Sequence, residues 1–135
     1  MRMHVDPLLK KLHQIKTLQD AIEEPDKIQR LFILESKRDT IPLLFYLNNG
    51  NVFQTSGNIG RQKGSNSFIT PFFRMEDIHP PSYVTLSLLK PHYDHLYPTD
   101  LYDVSKLTKT NLFFEMNCKV FGGVQYLDSI LVKEN

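Results

Sequence analysis

The sequence predicts a mostly β domain of the α+β class, in which an N-terminal amphipathic helix precedes an antiparallel β-sandwich or meander. Two observations support this prediction. Apolar residues recur at helical spacing only near the N-terminus, and the remainder consists of short apolar runs separated by turn residues. The chain has 135 residues, which is the size of one ordinary domain, so we expect residues 1–135 to form a single domain.

The helix is predicted over residues 1–24. Asp6 is a suitable N-cap, and Pro7 fits the first helical position because its missing N–H has no partner there. Pro25 follows the last turn and is a candidate hinge. An isolated helix of this length is marginal in water, so its apolar stripe must be buried either on a neighbouring subunit or on its own sheet. We interpret the stripe as a candidate self-assembly surface, made of Leu8, Leu12, Ile15, Leu18 and Ile22.

The β body is predicted over residues 31–132. Residues 48–51 form a turn between two apolar runs, so these runs are predicted to pair as a hairpin. Pro71 lies inside a later run and fits an edge or a bulge better than a central strand. The predicted strands cover residues 31–34, 41–47, 52–55, 67–75, 83–89, 111–116 and 120–127.

The charge balance argues against a protein that binds nucleic acid or a membrane surface. Lys and Arg total 16 and Asp and Glu total 15, which gives a formal net charge of +1 with His neutral. Proteins of those two classes usually carry a basic excess. No apolar run approaches the roughly 20 residues of a membrane helix, and the N-terminus lacks the apolar stretch of a signal peptide. We expect neither nucleic acid nor membrane as a partner, and synthesis without a signal peptide.

One loop carries glycines and basic residues in the manner of a phosphate-binding loop. Residues 57–60 read GNIG, and Arg61 and Lys63 follow them. The segment lacks the G-x-G-x-x-G spacing and the G-K-[ST] ending, and it lies between predicted strands rather than before a helix. We therefore predict a loop between strands and no nucleotide or other cofactor.

A second loop contains histidines that could ligate a metal ion or act as general acid and base. His92 and His95 lie three residues apart, and His79 precedes them. Pro91 and Pro98 bracket the pair, so the segment is predicted to be a loop in which no helix holds the histidines in place. A small nuclease or a metal-dependent enzyme is the alternative that they leave open. The prediction is no metal site, no catalytic residue and no enzymatic activity.

The chain contains a single cysteine, Cys118. One cysteine forms neither an intrachain disulfide nor a multi-cysteine zinc site. No histidine signature flanks it, so a small buried hydrophobic residue is the more ordinary interpretation than a nucleophile. It remains a candidate for an intermolecular disulfide.

Five segments along the chain resemble one protein family in order and spacing. They are DTIP at residues 39–42, GNVFQTSGNIG at 50–60, FFRM at 72–75, TLSLLKP at 85–91 and LTKTNLFFEMNCKVFGGVQYLDSILV at 107–132. The last segment aligns without a gap on a pattern of the form LxKTxxCIEVDLxCFCAIQCLxPxLV. In these features the chain resembles the CotY/CotZ/ExsY family of spore outer-coat and exosporium proteins.

This resemblance implies a structural role. Such proteins assemble with themselves into the outer protein shell of bacterial endospores and carry no known catalytic residues or cofactors. The implied location is the spore surface, in the outer coat, crust or exosporium, after synthesis in the mother-cell cytoplasm. The implied partners are copies of the protein itself and other spore coat or exosporium proteins. An adaptor that anchors other coat proteins without forming its own lattice is the alternative.

The chain departs from the family pattern in its cysteines. Family members are rich in cysteine, and interchain disulfides harden their assemblies. One thiol can join two subunits and no more, so a disulfide network cannot form from this chain. The resemblance places former cysteine positions at Ser67, Phe113, Val120, Gly122 and Tyr126. We expect the aromatic residues among them to compensate through burial.

Overall fold

The computed structural model describes residues 7–23, 39–60, 67–94, 100 and 102–133. In these residues the helix α1 (Pro7–Glu23) precedes the strands β1 (Leu43–Leu47), β2 (Thr55–Gly57), β3 (Phe68–Thr70), β4 (Phe73–His79), β5 (Tyr83–His92), β6 (Lys106–Asn117) and β7 (Phe121–Tyr126). The predicted fold class is confirmed. α1 begins at Pro7, the predicted first helical position, and residues 1–6 and 24 of the predicted helix lie outside the described residues. The run at residues 31–34 and the hinge at Pro25 lie outside the described residues.

Five strands form one antiparallel sheet in the order β6-β5-β4-β1-β7, and β2 pairs with β3 in a small second sheet. The strands β4, β5 and β6 form a meander. β1 shares only the pair Leu43–Phe73 with β4, whereas it runs along the whole length of β7. The chain passes from β6 to β7 through a three-residue 3-10 turn, Cys118–Val120. The sheet must therefore bend strongly between β4 and β1, because so short a turn joins its two end strands.

The predicted strand over residues 67–75 is two strands in the structure. β3 ends at Thr70 and β4 begins at Phe73, with Pro71 at the break, as expected of a residue without an N–H donor. The Thr70 hydroxyl donates to the Leu89 carbonyl at 2.7 Å and accepts from the Phe72 amide at 3.0 Å. These bonds hold the bend between the two strands.

The predicted hairpin over residues 41–55 is present but shorter than predicted. Residues 48–51 do reverse the chain, with Gly50 at φ +88°, a conformation that favours glycine. Tyr46 and Val52 form an antiparallel bridge, and the Phe53 amide donates to the Phe45 carbonyl at 2.8 Å. The chain then continues into β2, which pairs with β3. β1 instead lies between β4 and β7 and buries Leu43 and Leu44 on opposite faces. Burial on both faces favours the long-range partners over the local one.

The main core lies between α1 and the inner faces of the bent sheet. Alternate residues of a strand share a face, which brings Phe45 and Phe73 together with Met75. The rings of Phe45 and Phe121 stack with their centroids 4.5 Å apart. Each such side chain contributes about 1.5–3 kcal/mol when fully buried. The buried members of this cluster are Leu9, Leu12, Ile15, Leu43, Phe45, Phe73, Met75, Val84, Leu86, Leu88, Cys118 and Phe121.

A smaller apolar cluster lies on the other face of the sheet, near the C-terminal end. Leu44, Phe72, Leu89 and Leu107 are buried there under the residues that follow β7. Val132 forms a parallel bridge with Leu107. The C-terminal segment therefore covers the beginning of β6.

Helix α1 buries a different stripe from the predicted one. Leu9, Leu12 and Ile15 are buried, whereas Leu18 is 61% exposed and Leu8 is half-buried. The prediction of a stripe free for subunit contacts is therefore corrected at Leu12 and Ile15, which belong to the core of their own chain. The side chain of Ile22 lies outside the description.

Gln19 explains why the buried stripe is rotated. Its side chain is 1% exposed, donates to the Met75 carbonyl at 2.8 Å and accepts from the Ile41 amide at 3.1 Å. A buried polar group needs such partners. The buried stripe of α1 includes this polar residue. The periodicity of apolar residues alone therefore does not locate the buried side of the helix.

Candidate functional site

The positions that the family resemblance assigns to cysteine all lie on the surface. Phe113 is 57% exposed, Val120 42% and Tyr126 58%. Ser67 and Gly122 are exposed as well. Three of these positions thus carry large apolar or aromatic side chains that are exposed to solvent.

Two of these positions face opposite sides of the sheet. Phe113 lies on β6 between Leu112 and Phe114, both of which pack against the main core, so Phe113 faces away from it. Tyr126 ends β7 on the side of α1, where the Lys11 ammonium lies 5.5 Å from the centroid of its ring. The exposed apolar groups therefore form two separate surfaces.

Cys118 lies in the 3-10 turn between β6 and β7 and is fully buried in the main core. Its amide donates to the Ser82 carbonyl at 2.7 Å. The interpretation as a small buried hydrophobic residue is confirmed. The candidate intermolecular disulfide is corrected, because a disulfide between subunits needs an accessible thiol.

His92 lies in a strand rather than in the predicted loop. It ends β5 and pairs with Lys106 on β6. Its Nε2 lies 3.0 Å from the Thr108 hydroxyl. Partial burial, together with the charges of Lys106 and Lys90, lowers the pKa of this histidine, which favours the neutral ring. β5 simply extends through Pro91, and His95 lies outside the described residues.

His79 lies at the opposite end of the same pair of strands. It pairs with Tyr83 at the start of β5, whereas His92 ends that strand. At about 3.3 Å per residue, nine residues separate the two histidines by roughly 30 Å. They cannot share one site, and the described residues contain no group of three or more His, Cys, Asp or Glu side chains that could hold a metal ion.

The glycine-containing segment at residues 57–60 connects β2 to β3, as predicted. Gly57 is buried, and a Cβ at this position would approach the Phe68 ring to 2.5 Å. Its lack of a side chain therefore serves the packing of the small sheet. Arg61 and Lys63 lie outside the description.

A charged network on the outer face of the sheet joins residues that are distant in the sequence. The Lys109 ammonium contacts both carboxylate oxygens of Asp39, at 2.7 and 3.0 Å. Arg74 donates from Nε to the Thr40 hydroxyl at 2.9 Å and pairs with Glu76 at 2.8 Å. We call Asp39, Thr40, Arg74, Glu76 and Lys109 the internal ion network.

The internal ion network was not foreseen from the sequence. Its members belong to the segments DTIP, FFRM and LTKT, and an arginine inside an apolar strand is the signal that could have revealed it. Burial opposes ionisation of Asp39, but hydrogen bonds from Lys109 and Thr40 and the charges of Lys109 and Arg74 outweigh it and lower the pKa. Each carboxylate is neutralised by a cation, so the network braces the strands and offers no free general base.

None of the described helices is long and apolar enough to span a membrane.

Comparison with known proteins gives one family. The family described as "Spore coat protein Z" matches residues 11–125. The chain is also similar to "Spore coat protein Z" of Bacillus subtilis (strain 168), with 30% identity over 131 residues that cover 90% of this chain and 88% of that protein. No solved structure matches the chain.

Proposed function

The chain belongs to the Spore coat protein Z family, and we propose that it is a structural subunit that assembles with copies of itself at the spore surface. The coat, crust or exosporium would be the assembled layer. Other coat or exosporium proteins would bind to it there. The role is that of a building unit rather than of an enzyme.

One observation supports the self-assembly part of this proposal. Phe113, Val120 and Tyr126 are exposed, and they are among the positions that the family resemblance assigns to cysteine. Exposed aromatic side chains contribute little to the stability of a lone subunit, but they contribute strongly when another surface buries them. Contacts between these side chains would take the place of interchain disulfides.

The burial of Cys118 supports a non-covalent mechanism. The only thiol of the chain lies in the core, with its side chain shielded from solvent. Reducing agents should therefore leave assemblies intact, in contrast to assemblies hardened by disulfides.

An adaptor that binds other coat proteins without forming its own lattice is the second candidate. The same burial of Cys118 favours it, since a subunit without exposed thiols suits a small soluble assembly. The two candidates differ in what the purified protein does alone.

Electron microscopy and sedimentation velocity of the purified protein test the proposal. We expect ordered sheets, tubes or fibres from wild type and from Cys118→Ser, with and without excess dithiothreitol. A monodisperse small oligomer would favour the adaptor, and loss of assemblies under reductant would contradict the non-covalent mechanism. Unfolding experiments on Cys118→Ser provide the control, because this residue belongs to the core.

A further inference from the structure

We propose that subunits join head to tail, with the outer face of β6 in one subunit against the outer side of α1 in the next. This inference rests on the proposed function and specifies its contact. The first surface, which we call the acidic patch, consists of Asp77, Tyr83, Phe113 and Glu115. The second surface, the basic margin, consists of Lys11, Leu18 and Tyr126.

The acidic patch is continuous across three strands. Asp77 on β4, Thr85 on β5 and Glu115 on β6 form one row of the sheet. The His79 ring lies between the two carboxylates, 3.8 Å from Asp77 and 3.9 Å from Glu115. Phe113 is two residues from Glu115 on the same face.

Among the described residues, no lysine or arginine forms an ion pair with Asp77 or Glu115. Two cations of this face, Lys109 and Arg74, are already paired with Asp39 and Glu76 in the internal ion network. The side chains of Asp77 and Glu115 are 62% and 66% exposed. The patch therefore presents two exposed carboxylates, with the His79 ring between them, beside an exposed aromatic ring.

The basic margin has the opposite charge and the same apolar character. Lys11 lies over the ring of Tyr126. Leu18 is seven residues from Lys11, so it lies on the same side of α1 two turns later. Lys10 is also exposed, about 100° around the helix from Lys11, whereas Lys16 is already paired with Asp20 at 2.7 Å.

The two surfaces cannot satisfy each other within one subunit. The acidic patch lies on the face of the sheet that points away from the core, and the basic margin lies on the side that α1 covers. A second copy of the chain offers the complementary surface. Contacts between two different surfaces leave one of each free at the ends, so they propagate into open arrays.

The alternative contact, in which an outer strand of one subunit pairs with an outer strand of another, is less favourable. Each outer strand of the main sheet has an irregular register, in β6 opposite residues 87–89 and in β7 opposite residues 46–47. Bulges of this kind oppose pairing with a further strand. The geometry therefore favours contacts between side chains.

Two variants that each damage one surface test this inference by sedimentation velocity. Phe113→Lys places a positive charge in the acidic patch, and Tyr126→Glu places a negative charge in the basic margin. We expect each variant alone to associate at least about tenfold more weakly than wild type. An equimolar mixture should regain complexes larger than the monomer, because each variant keeps the surface that the other lacks.

The controls separate this inference from the proposed function. Ile69 is as exposed as Phe113 but lies on β3, so Ile69→Lys should assemble like wild type. Circular dichroism and thermal unfolding establish that the variants fold. If wild type assembles while both variants also assemble, or while their mixture stays monomeric, the head-to-tail contact is wrong and self-assembly stands. If wild type remains monomeric, both proposals are wrong.

Discussion

Phe113 and Phe114 are neighbours in β6, yet they belong to two different regions of the molecule. Phe114 faces the core, where its ring centroid lies 5.5 Å from that of Phe73. Phe113 faces away from the core and is more than half exposed. The same side chain therefore stabilises the subunit at one position and contributes almost nothing to it at the next.

The difference shows which apolar residues the fold requires. Residues of the main core are held by the sheet and by α1, and their substitution leaves a cavity. Leu18, Phe113 and Tyr126 have no comparable burial within the subunit. Stability and assembly should therefore respond to different sets of residues, and the predictions below test that separation.

The largest expected effect concerns helix α1. Leu12→Ala removes a fully buried side chain from the main core and should lower the free energy of unfolding by about 2–5 kcal/mol. Leu18→Ala makes the same change on the exposed side of the helix and should stay within about 0.5 kcal/mol of wild type. Urea denaturation measures both, and equal losses would contradict the described orientation of α1.

A smaller effect is expected for the internal ion network. Asp39→Asn removes the carboxylate that pairs with Lys109, so the free energy of unfolding at pH 7 should fall by about 1–3 kcal/mol. Glu115→Gln offers a matched control, because Glu115 is largely exposed.

The ion pair between Asp39 and Lys109 also makes the free energy of unfolding depend on pH. The pKa of Asp39 is lower in the folded protein than in the unfolded chain, so the folded state binds fewer protons between these two values. The stabilisation by the ionised carboxylate is complete above about pH 4 and is lost as the pH falls through the lower, folded value. The difference between wild type and Asp39→Asn should be constant from pH 7 to pH 5 and shrink below pH 4. A difference that persists unchanged at pH 2 would contradict the assignment.

Short sequence patterns predicted where the helix and strands lie better than they predicted which strands pair with each other. Pro7 marks the start of α1 correctly, and the antiparallel strands follow from short apolar runs. The hairpin is shorter than predicted because β1, buried on both faces, pairs mainly with distant strands. The loop around His92 failed because Pro91 is accommodated within β5, opposite Leu107 on β6.

The candidate site was predicted in part. Its positions at Phe113, Val120 and Tyr126 came from the family resemblance, but their exposure depends on how the sheet bends. The helix stripe was misplaced because Gln19 is buried through two hydrogen bonds that only the folded chain supplies. The internal ion network joins residues up to 70 positions apart, which no local pattern reveals.

The comparison of Phe113 with Phe114 gives the most direct test of the central claim, that outward apolar residues serve assembly rather than folding. Sedimentation velocity and urea denaturation of Phe113→Ala and Phe114→Ala measure both properties. Phe113→Ala should keep the wild-type free energy of unfolding within about 0.5 kcal/mol and lose the large assemblies. Phe114→Ala should instead lower that free energy by about 2–4 kcal/mol. Wild-type assembly by Phe113→Ala, or a loss of stability equal to that of Phe114→Ala, would contradict the account.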